Sequence, residues 1–570
     1  MNSLTQTQRR RFPAAGLALG LAALAILTAC GKRTAASNED GAGSSSSAAT
    51  LTVPDKNHPS PAYRSVPATA DDDVLTYHND LARTGLDPGE TILTPANVNA
   101  ASFGRLFSDP VDGFVYAQPL YMSGVSIPGK GTHNVVYVAT ENDTVYALDA
   151  DRAGPPLWRA SLLEGGSAVP STAFACGQIV PRVGITGTPV IDRATGTLYV
   201  VAMIEHTASG HTTYAQRLHA LNIATGAEKP GGPVTIAGSV PGKGAGNNGG
   251  KLAFDGFLHL NRPGLALANG VIYIAFGSHC DLGDYHGWVM AYGAGDLRLR
   301  AAFSTTPNGS QGAIWETGDA PAVDAKGNVY VLTGNGTFSA ASRGADYSDS
   351  FLKLALSGNT LRAIDFFTPY DEKGLDEQDL DIGSGGALLV PDQTGQHAHL
   401  VVGAGKNGVI YVVDRDHLGR YNANGDAQIV QAVRGQISPN FSTPAYWNGH
   451  IYIGSASQPL KAFAVTGKGL SAAPVSQSPD SFDYPGTTPA VSSNGNKNAI
   501  VWGLDTGGYV AGSPTILRAY DATDLAHELY TNAHTGRGGP GVKFATPTVA
   551  HGMVYYGTQN SLEVYGLLRH

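Results

Sequence analysis

The residues of this 570-residue chain best suited to chemistry are acids, amides and cations spaced closely between positions 278 and 415. Asp379 and Asp381 stand two positions apart. On a strand such carboxylates share one face, so both could meet one hard cation. Asp371, Glu372, Asp376 and Glu377 crowd the same stretch, and a solvated acidic loop is the competing reading. Trp315, in Gly312-Ala313-Ile314-Trp315, offers either a ring for stacking a planar ligand or a core residue between sheets. Thr333-Gly334-Asn335 reads as a ligand-bearing loop or as a plain Gly-Asn turn. The sequence holds no Cys-x-x-Cys-His, His-Glu-x-x-His or Gly-x-Ser-x-Gly, so haem attachment, zinc-peptidase and serine-hydrolase chemistry have no motif to rest on.

These residues must be positioned by short strands. With 42% hydrophobic and only 15% charged residues the chain can bury a large core, and its 73 glycines and 33 prolines favour tight turns. From Tyr77 one unit recurs: a Pro step, a short apolar strand, a Gly turn and an aromatic-rich strand. The units begin at Pro119, Pro189, Pro263, Pro321, Gly386, Pro444, Pro489 and Pro547, and second strands carry Tyr137, Tyr199, Tyr273, Tyr330, Tyr411, Tyr452 and Tyr555. The seventh, at Ile500-Val501-Trp502, lacks the tyrosine. The pattern predicts an all-β, eight-bladed β-propeller of four-stranded antiparallel blades. The last unit supplies three strands before the chain ends, so the segment Phe103–Phe107 is expected to close it and leave no sheet edge bare.

Ahead of the repeats, Arg9, Arg10 and Arg11 precede an uncharged stretch too short to span a membrane comfortably, which reads as a secretion signal over residues 1–29. Leu27-Thr28-Ala29-Cys30 resembles the lipobox of bacterial lipoproteins, which implies lipidation of Cys30. Gly31 at the next position implies an outer-membrane destination, facing periplasm or exterior. Residues 30–73 are rich in Ser, Ala, Pro and Asp and read as a tether, with a typical end-to-end reach of roughly 35 Å. The propeller is expected over 74–570. Removing residues 1–29 deletes three arginines and no acid, moving the formal charge from −9 to −12, which argues against nucleic acid as a partner. In an exported domain, a Cys176 to Cys280 disulfide is plausible.

The order of motifs resembles the quinoprotein alcohol and methanol dehydrogenases. It starts with Tyr77-His78-Asn79-Asp80, Arg83-Thr84-Gly85 and Asn97-Val98, continues through Trp315, Thr333-Gly334-Asn335 and Asp346-Tyr347-Ser348-Asp349-Ser350, and runs on to Asp379-Leu380-Asp381, Lys406-Asn407-Gly408 and Asp414-Arg415. The resemblance implies pyrroloquinoline quinone (PQQ) lying on Trp315, with Lys406, Arg182 and Ser278 as further cofactor contacts. It implies Ca²⁺ or a lanthanide held by Asp281, Asn335, Asp379 and Asp381, and Asp379 as general base toward an alcohol or aldehyde. Without haem, electrons would pass to a separate acceptor. Two features depart from the family: Asp281 stands where a Glu is expected, and an adjacent-cysteine pair is reduced to Cys176-Gly177, which a Cys176 to Cys280 bridge would replace. Cofactor-free envelope scaffolds share the same repeat. The alternative expectation is therefore a ligand-binding or scaffold propeller serving envelope proteins, with the lipid its only tie to the membrane. Convergence of Asp281, Asn335, Asp379 and Trp315 at one end of the central channel separates the two.

Overall fold

The computed structural model describes residues 68–174 and 177–568. Within them, eight consecutive sheets form the blades of one propeller. Their inner strands are Leu120–Ile127, Val190–Asp192, Ala266–Ala268, Ala322–Val323, Ala387–Leu389, Ala445–Trp447, Ala490–Asn494 and Thr548–Ala550, starting at the eight expected places. Blade 1 shows the rule: Leu120–Ile127, Gly131–Thr140, Thr144–Asp149 and Trp158–Ser161 pair antiparallel in sequence order. Blade 8 takes Thr548–Ala550, Met553–Gly557 and Ser561–Leu567 from the end of the chain. Its fourth strand is Phe103–Pro110, with Phe103 opposite Leu567 and Pro110 opposite Ser561. Start and end of the propeller are thus fastened in one sheet, and the ring has no exposed edge between blades 8 and 1.

The repeating tyrosine has a physical role. A buried phenol needs a hydrogen-bond partner, and for four of the seven repeat tyrosines the partner belongs to the neighbouring blade, while Tyr330 donates to Asp324 Oδ2 and Tyr411 accepts from Asn407 Nδ2 within their own blades. Tyr137 Oη donates to Ile223 O at 3.0 Å, Tyr199 to Ala294 O at 2.8 Å, Tyr452 to Ala522 O at 2.8 Å, and Tyr555 to Ala150 O at 3.3 Å. The ring of each fills the apolar space between sheets while its tip ties them together. In blade 7 the residue in the same register, opposite Ala490 at the start of the inner strand, is Trp502, which donates within its own blade to Ser492 Oγ at 2.8 Å.

A second device holds the ring from inside. Residues 74–87 run past the inner strands, lending carbonyls to one blade after another: Leu75 O to Ile191 N, Leu81 O to Val323 N, Ala82 O to Leu389 N, Thr84 O to Tyr446 N and Gly85 O to Val491 N, all at 2.7–2.8 Å. Leu86–Asp87 then adds a short parallel strand to blade 7. Arg83, fully buried, spends its guanidinium on Pro321 O of blade 4, on Tyr77 O and Asp80 O, and on Thr76 Oγ1. Gly85 has φ +63°, and a Cβ there would lie 2.3 Å from the His78 ring, so glycine is required. This segment plugs the channel.

Candidate active site

A cavity of about 350 Å³ opens at the starts of the inner strands, within the usual range of small-molecule sites. Thr317, Ser384, Phe441, Tyr484 and Phe544 line it, each a few residues ahead of the inner strand of blades 4 to 8. The plug bonds to residues inside those same strands. Because a strand advances about 3.3 Å per residue, cavity and plug occupy two depths of one channel.

Trp315 lines this cavity at 9% exposure, packed with Tyr285 and Ala313. Its indole fits against two glycine backbones. A Cβ at Gly277 would lie 3.1 Å from Cε3, and one at Gly334 would lie 3.0 Å from Nε1 and 2.2 Å from Asp381 Oδ1. Gly334 therefore lets the chain pass between the indole and the carboxylate, and Asn335 follows in position to donate its backbone N–H to Asp381 Oδ1 at 2.7 Å. Asn335 Nδ2 donates to Asp379 Oδ1 at 3.1 Å, while Asn335 Oδ1 is buried without a partner.

Asp379 and Asp381 do meet one cation, but by a different route from the expected strand. Asp379 lies beyond a short helix, Glu372–Glu377, with φ +56°, and Asp381 precedes the 3-10 turn Ile382–Ser384. The cation is Lys406, whose Nζ is 2.7 Å from Asp379 Oδ1 and 2.5 Å from Asp381 Oδ2. Its own backbone N–H donates to Asp381 O at 2.8 Å. Burial opposes the charge on Lys406, yet the two carboxylates outweigh it and hold the ammonium above the ordinary lysine range. Burial raises the Asp381 carboxyl, with Lys406 pulling the other way. Asp381 lines the cavity, whereas the Asp379 side chain is 78% exposed beside it.

Asp281 lines the stretch of wall contributed by blade 3, in a turn where Cys280 and Asp281 both take left-handed backbone, φ +56° and +55°. Consecutive non-glycine residues in that region are costly and persist where the surroundings fix them, which is frequent at functional sites. Ser278 Oγ accepts the Asp281 N–H at 3.2 Å, and Tyr285 Oη donates to Asp281 Oδ1 at 2.6 Å. Burial and Asp281 push the Tyr285 phenol far up. Ser278 itself is fully buried and shapes this turn rather than facing the cavity. Cys280 lines the cavity and is disulfide-bonded; Cys176, the expected partner, lies outside the described residues, as does Cys30.

Arg182 does not join this group. It sits in Arg182–Val183, where alternation buries Val183 and turns Arg182 outward, and it donates to Ala168 O at 3.1 Å. The concavity it lines, with Asp112 and Arg159, is a separate one of about 320 Å³. Conversely, Phe441, Tyr484, Lys543 and Phe544 line the main cavity without having been singled out in the sequence. A signal was present: Phe441 and Phe544 each stand two residues before the Thr of a Thr-Pro step, the same offset in blades 6 and 8.

No family model matches the chain, and no curated protein sequence matches it. Among solved structures it is similar to the quinohemoprotein alcohol dehydrogenase ADHIIG of Pseudomonas putida HK5, at 15% identity over 87% of this chain and 80% of that one, with a TM-score of 0.53. It is similar to the quinohemoprotein alcohol dehydrogenase of Comamonas testosteroni, at 14% identity over 88% and 81%, TM-score 0.54. A europium-containing methanol dehydrogenase aligns at 13% identity over 87% of this chain and 98% of that one, TM-score 0.54. What is shared at this level of identity is the eight-bladed fold.

Proposed function

We propose that this chain is a PQQ-dependent dehydrogenase of alcohols or aldehydes, exported, lipidated at Cys30 and held at the outer membrane facing periplasm or exterior, with a separate electron acceptor. The observation that carries the reading is the convergence of Trp315, Asp281, Asp381 and Lys406 on one aromatic-walled cavity in the channel of a propeller of this fold. A flat, anionic quinone suits these walls: an indole for its face, and the ammonium group of Lys543 for its charge.

The fit of a metal is weaker. Asn335 Oδ1, buried and unpartnered beside Asp379 and Asp381, is the kind of oxygen a hard cation seeks. However, Lys406 already holds the place between the two carboxylates, Asp281 Oδ1 is taken by Tyr285, and among the described residues no three acidic, His or Cys side chains gather in a metal-binding arrangement. In this arrangement the donor set does not fit a resident cation, and the chemistry is assigned to side chains alone.

When bound, the quinone is the two-electron acceptor. Asp381, the carboxylate on the cavity wall, takes the proton of the substrate hydroxyl, with Asp379 sharing its cation alongside. Lys406 offsets negative charge that develops on the acceptor oxygens. Trp315 fixes the plane against which the substrate carbon must approach.

The test is turnover by the full chain in detergent, supplied with PQQ, with or without Ca²⁺ or La³⁺, a panel of primary alcohols and aldehydes, and an artificial dye acceptor. The reading expects PQQ-dependent dye reduction that Asp381→Asn abolishes while PQQ still binds. PQQ binding without turnover on any substrate reduces the protein to a binding module. No PQQ binding leaves the cofactor-free propeller, and its partners are then to be sought among envelope proteins.

A further inference from the structure

Lys543 is a buried cation with nothing to neutralise it. Its side chain is 9% exposed and lines the cavity, and it makes no hydrogen bond or ion pair with any described residue. Its Nζ lies 5.6 Å from the ring centroids of Phe544 and Tyr509. Arg262, 5% exposed, places its guanidinium carbon 4.7 Å from the centroid of the same Phe544 ring and donates to Thr317 O at 3.0 Å. Among the described residues neither cation has a salt bridge, and the acid that acts on Arg262, Glu141, is turned to Gly184 N and Thr186 Oγ1. Two like charges are therefore held together in a desolvated wall, an arrangement that costs stability unless an anion completes it.

We propose that Lys543 on the cavity wall, beside Phe544 and in the field of the buried Arg262 that stacks on the Tyr116 and Phe544 rings, forms an anion subsite that takes a carboxylate of the molecule bound in this cavity. The subsite stands on blades 3 and 8, whereas Lys406 comes from blade 5 and is already paired with Asp379 and Asp381. Lys406 thus has no free charge to offer an incoming anion until its partners move, while Lys543 has all of its charge available. Burial, reinforced by the charge of Arg262, depresses the Lys543 ammonium to about 8, so it is still largely charged at neutral pH and gains from an incoming carboxylate. Phe544 and Phe441, with centroids 6.3 Å apart, give the rest of such a ligand an aromatic surface. The chemistry is the same whether the carboxylate belongs to the quinone proposed above or to an acid substrate bound beside it.

Benzene-1,3,5-tricarboxylate, a planar tricarboxylate unrelated to any redox step, is the probe, titrated into the full chain and followed by calorimetry. Wild type should bind it saturably, Lys543→Met should weaken it at least about tenfold, and Lys543→Arg should stay close to wild type. The uncharged triamide of the same ring should bind wild type and Lys543→Met alike. In the absence of ligand, Lys543→Met should melt at or above the wild-type temperature, because the substitution removes an unpaired buried charge at similar volume, so a loss of binding is not a loss of fold. Equal tricarboxylate affinity in wild type and Lys543→Met overturns the subsite, and so does a lack of saturable binding to wild type. A PQQ titration of the same two proteins assigns the source. Weaker PQQ binding in Lys543→Met gives the carboxylate to the cofactor. Equal PQQ binding, with the tricarboxylate still sensitive to Lys543 in PQQ-loaded protein, gives it to the substrate. Lys543-dependent tricarboxylate binding with no PQQ binding keeps the subsite and removes the quinone.

Discussion

Two buried cations in one channel are treated in opposite ways. Arg83, in the plug, has every nitrogen of its guanidinium committed to oxygen atoms of the segment around it and of blade 4. Lys543, on the cavity wall, has no hydrogen-bond partner among the described residues. The first is satisfied within the plug and the blade beside it, and so helps to hold the propeller together. The second belongs to a region whose charge and orphaned oxygen, Asn335 Oδ1, are left for something else to satisfy. Backbone geometry does not separate the two regions: the plug sets His78, Asn79 and Arg83 in left-handed backbone beside Gly85, and the cavity sets Cys280, Asp281 and Asp379 there.

The largest effect is expected at the plug. Arg83→Met strips the partners from buried carbonyls and removes the cation that acts on Asp319 and Asp80, and should cost about 3–5 kcal/mol in urea denaturation. A mild effect there would break the contrast with Lys543. The plug's own weak point is Asp87, whose carboxyl burial, with Glu90 nearby, pushes up to about 8. Between its ordinary range near 4 and that value the folded state binds more protons than the unfolded state, so this group lowers stability as pH rises. Asp87→Asn should therefore leave the melting temperature unchanged near pH 4 and raise it by several degrees at pH 8.

At the cavity, Lys406→Ala frees Asp379 and Asp381 beside Asn335 Oδ1, which has no partner already. Terbium luminescence should show that variant binding a lanthanide about tenfold tighter than wild type; unchanged binding would mean the ammonium is not what occupies the cation's place. The smallest effect is expected between blades, where Tyr452→Phe loses the bond to Ala522 O and should cost about 1 kcal/mol with an unchanged denaturant slope.

The repeat was legible because period and composition coincide: a Pro step marks every blade but the fifth and a tyrosine every blade but the seventh, and the strand that closes blade 8 follows from counting. The plug was visible only as Tyr77, His78 and Arg83, since a segment whose carbonyls serve five blades has no periodicity of its own. Asp379 and Asp381 were expected on one strand around a metal cation; they lie instead on either side of Lys406, because a left-handed residue at 379 replaces the strand that alternation assumes. Arg182 was misplaced for lack of any sequence signal that its two-residue strand turns it outward. Lys543 could not be read at all, because a single lysine ahead of a Thr-Pro step looks solvated until the cavity is assembled around it.

The central claim is that the cavity end of the channel is completed by an anionic, flat ligand. Its most direct test is a titration of the full chain with PQQ, followed by cofactor absorbance and tryptophan fluorescence, on wild type, Trp315→Ala and Arg83→Lys. One-to-one binding that Trp315→Ala abolishes, and that Arg83→Lys leaves intact wherever it folds, is the result expected. Absence of binding to wild type, or binding indifferent to Trp315, would contradict it.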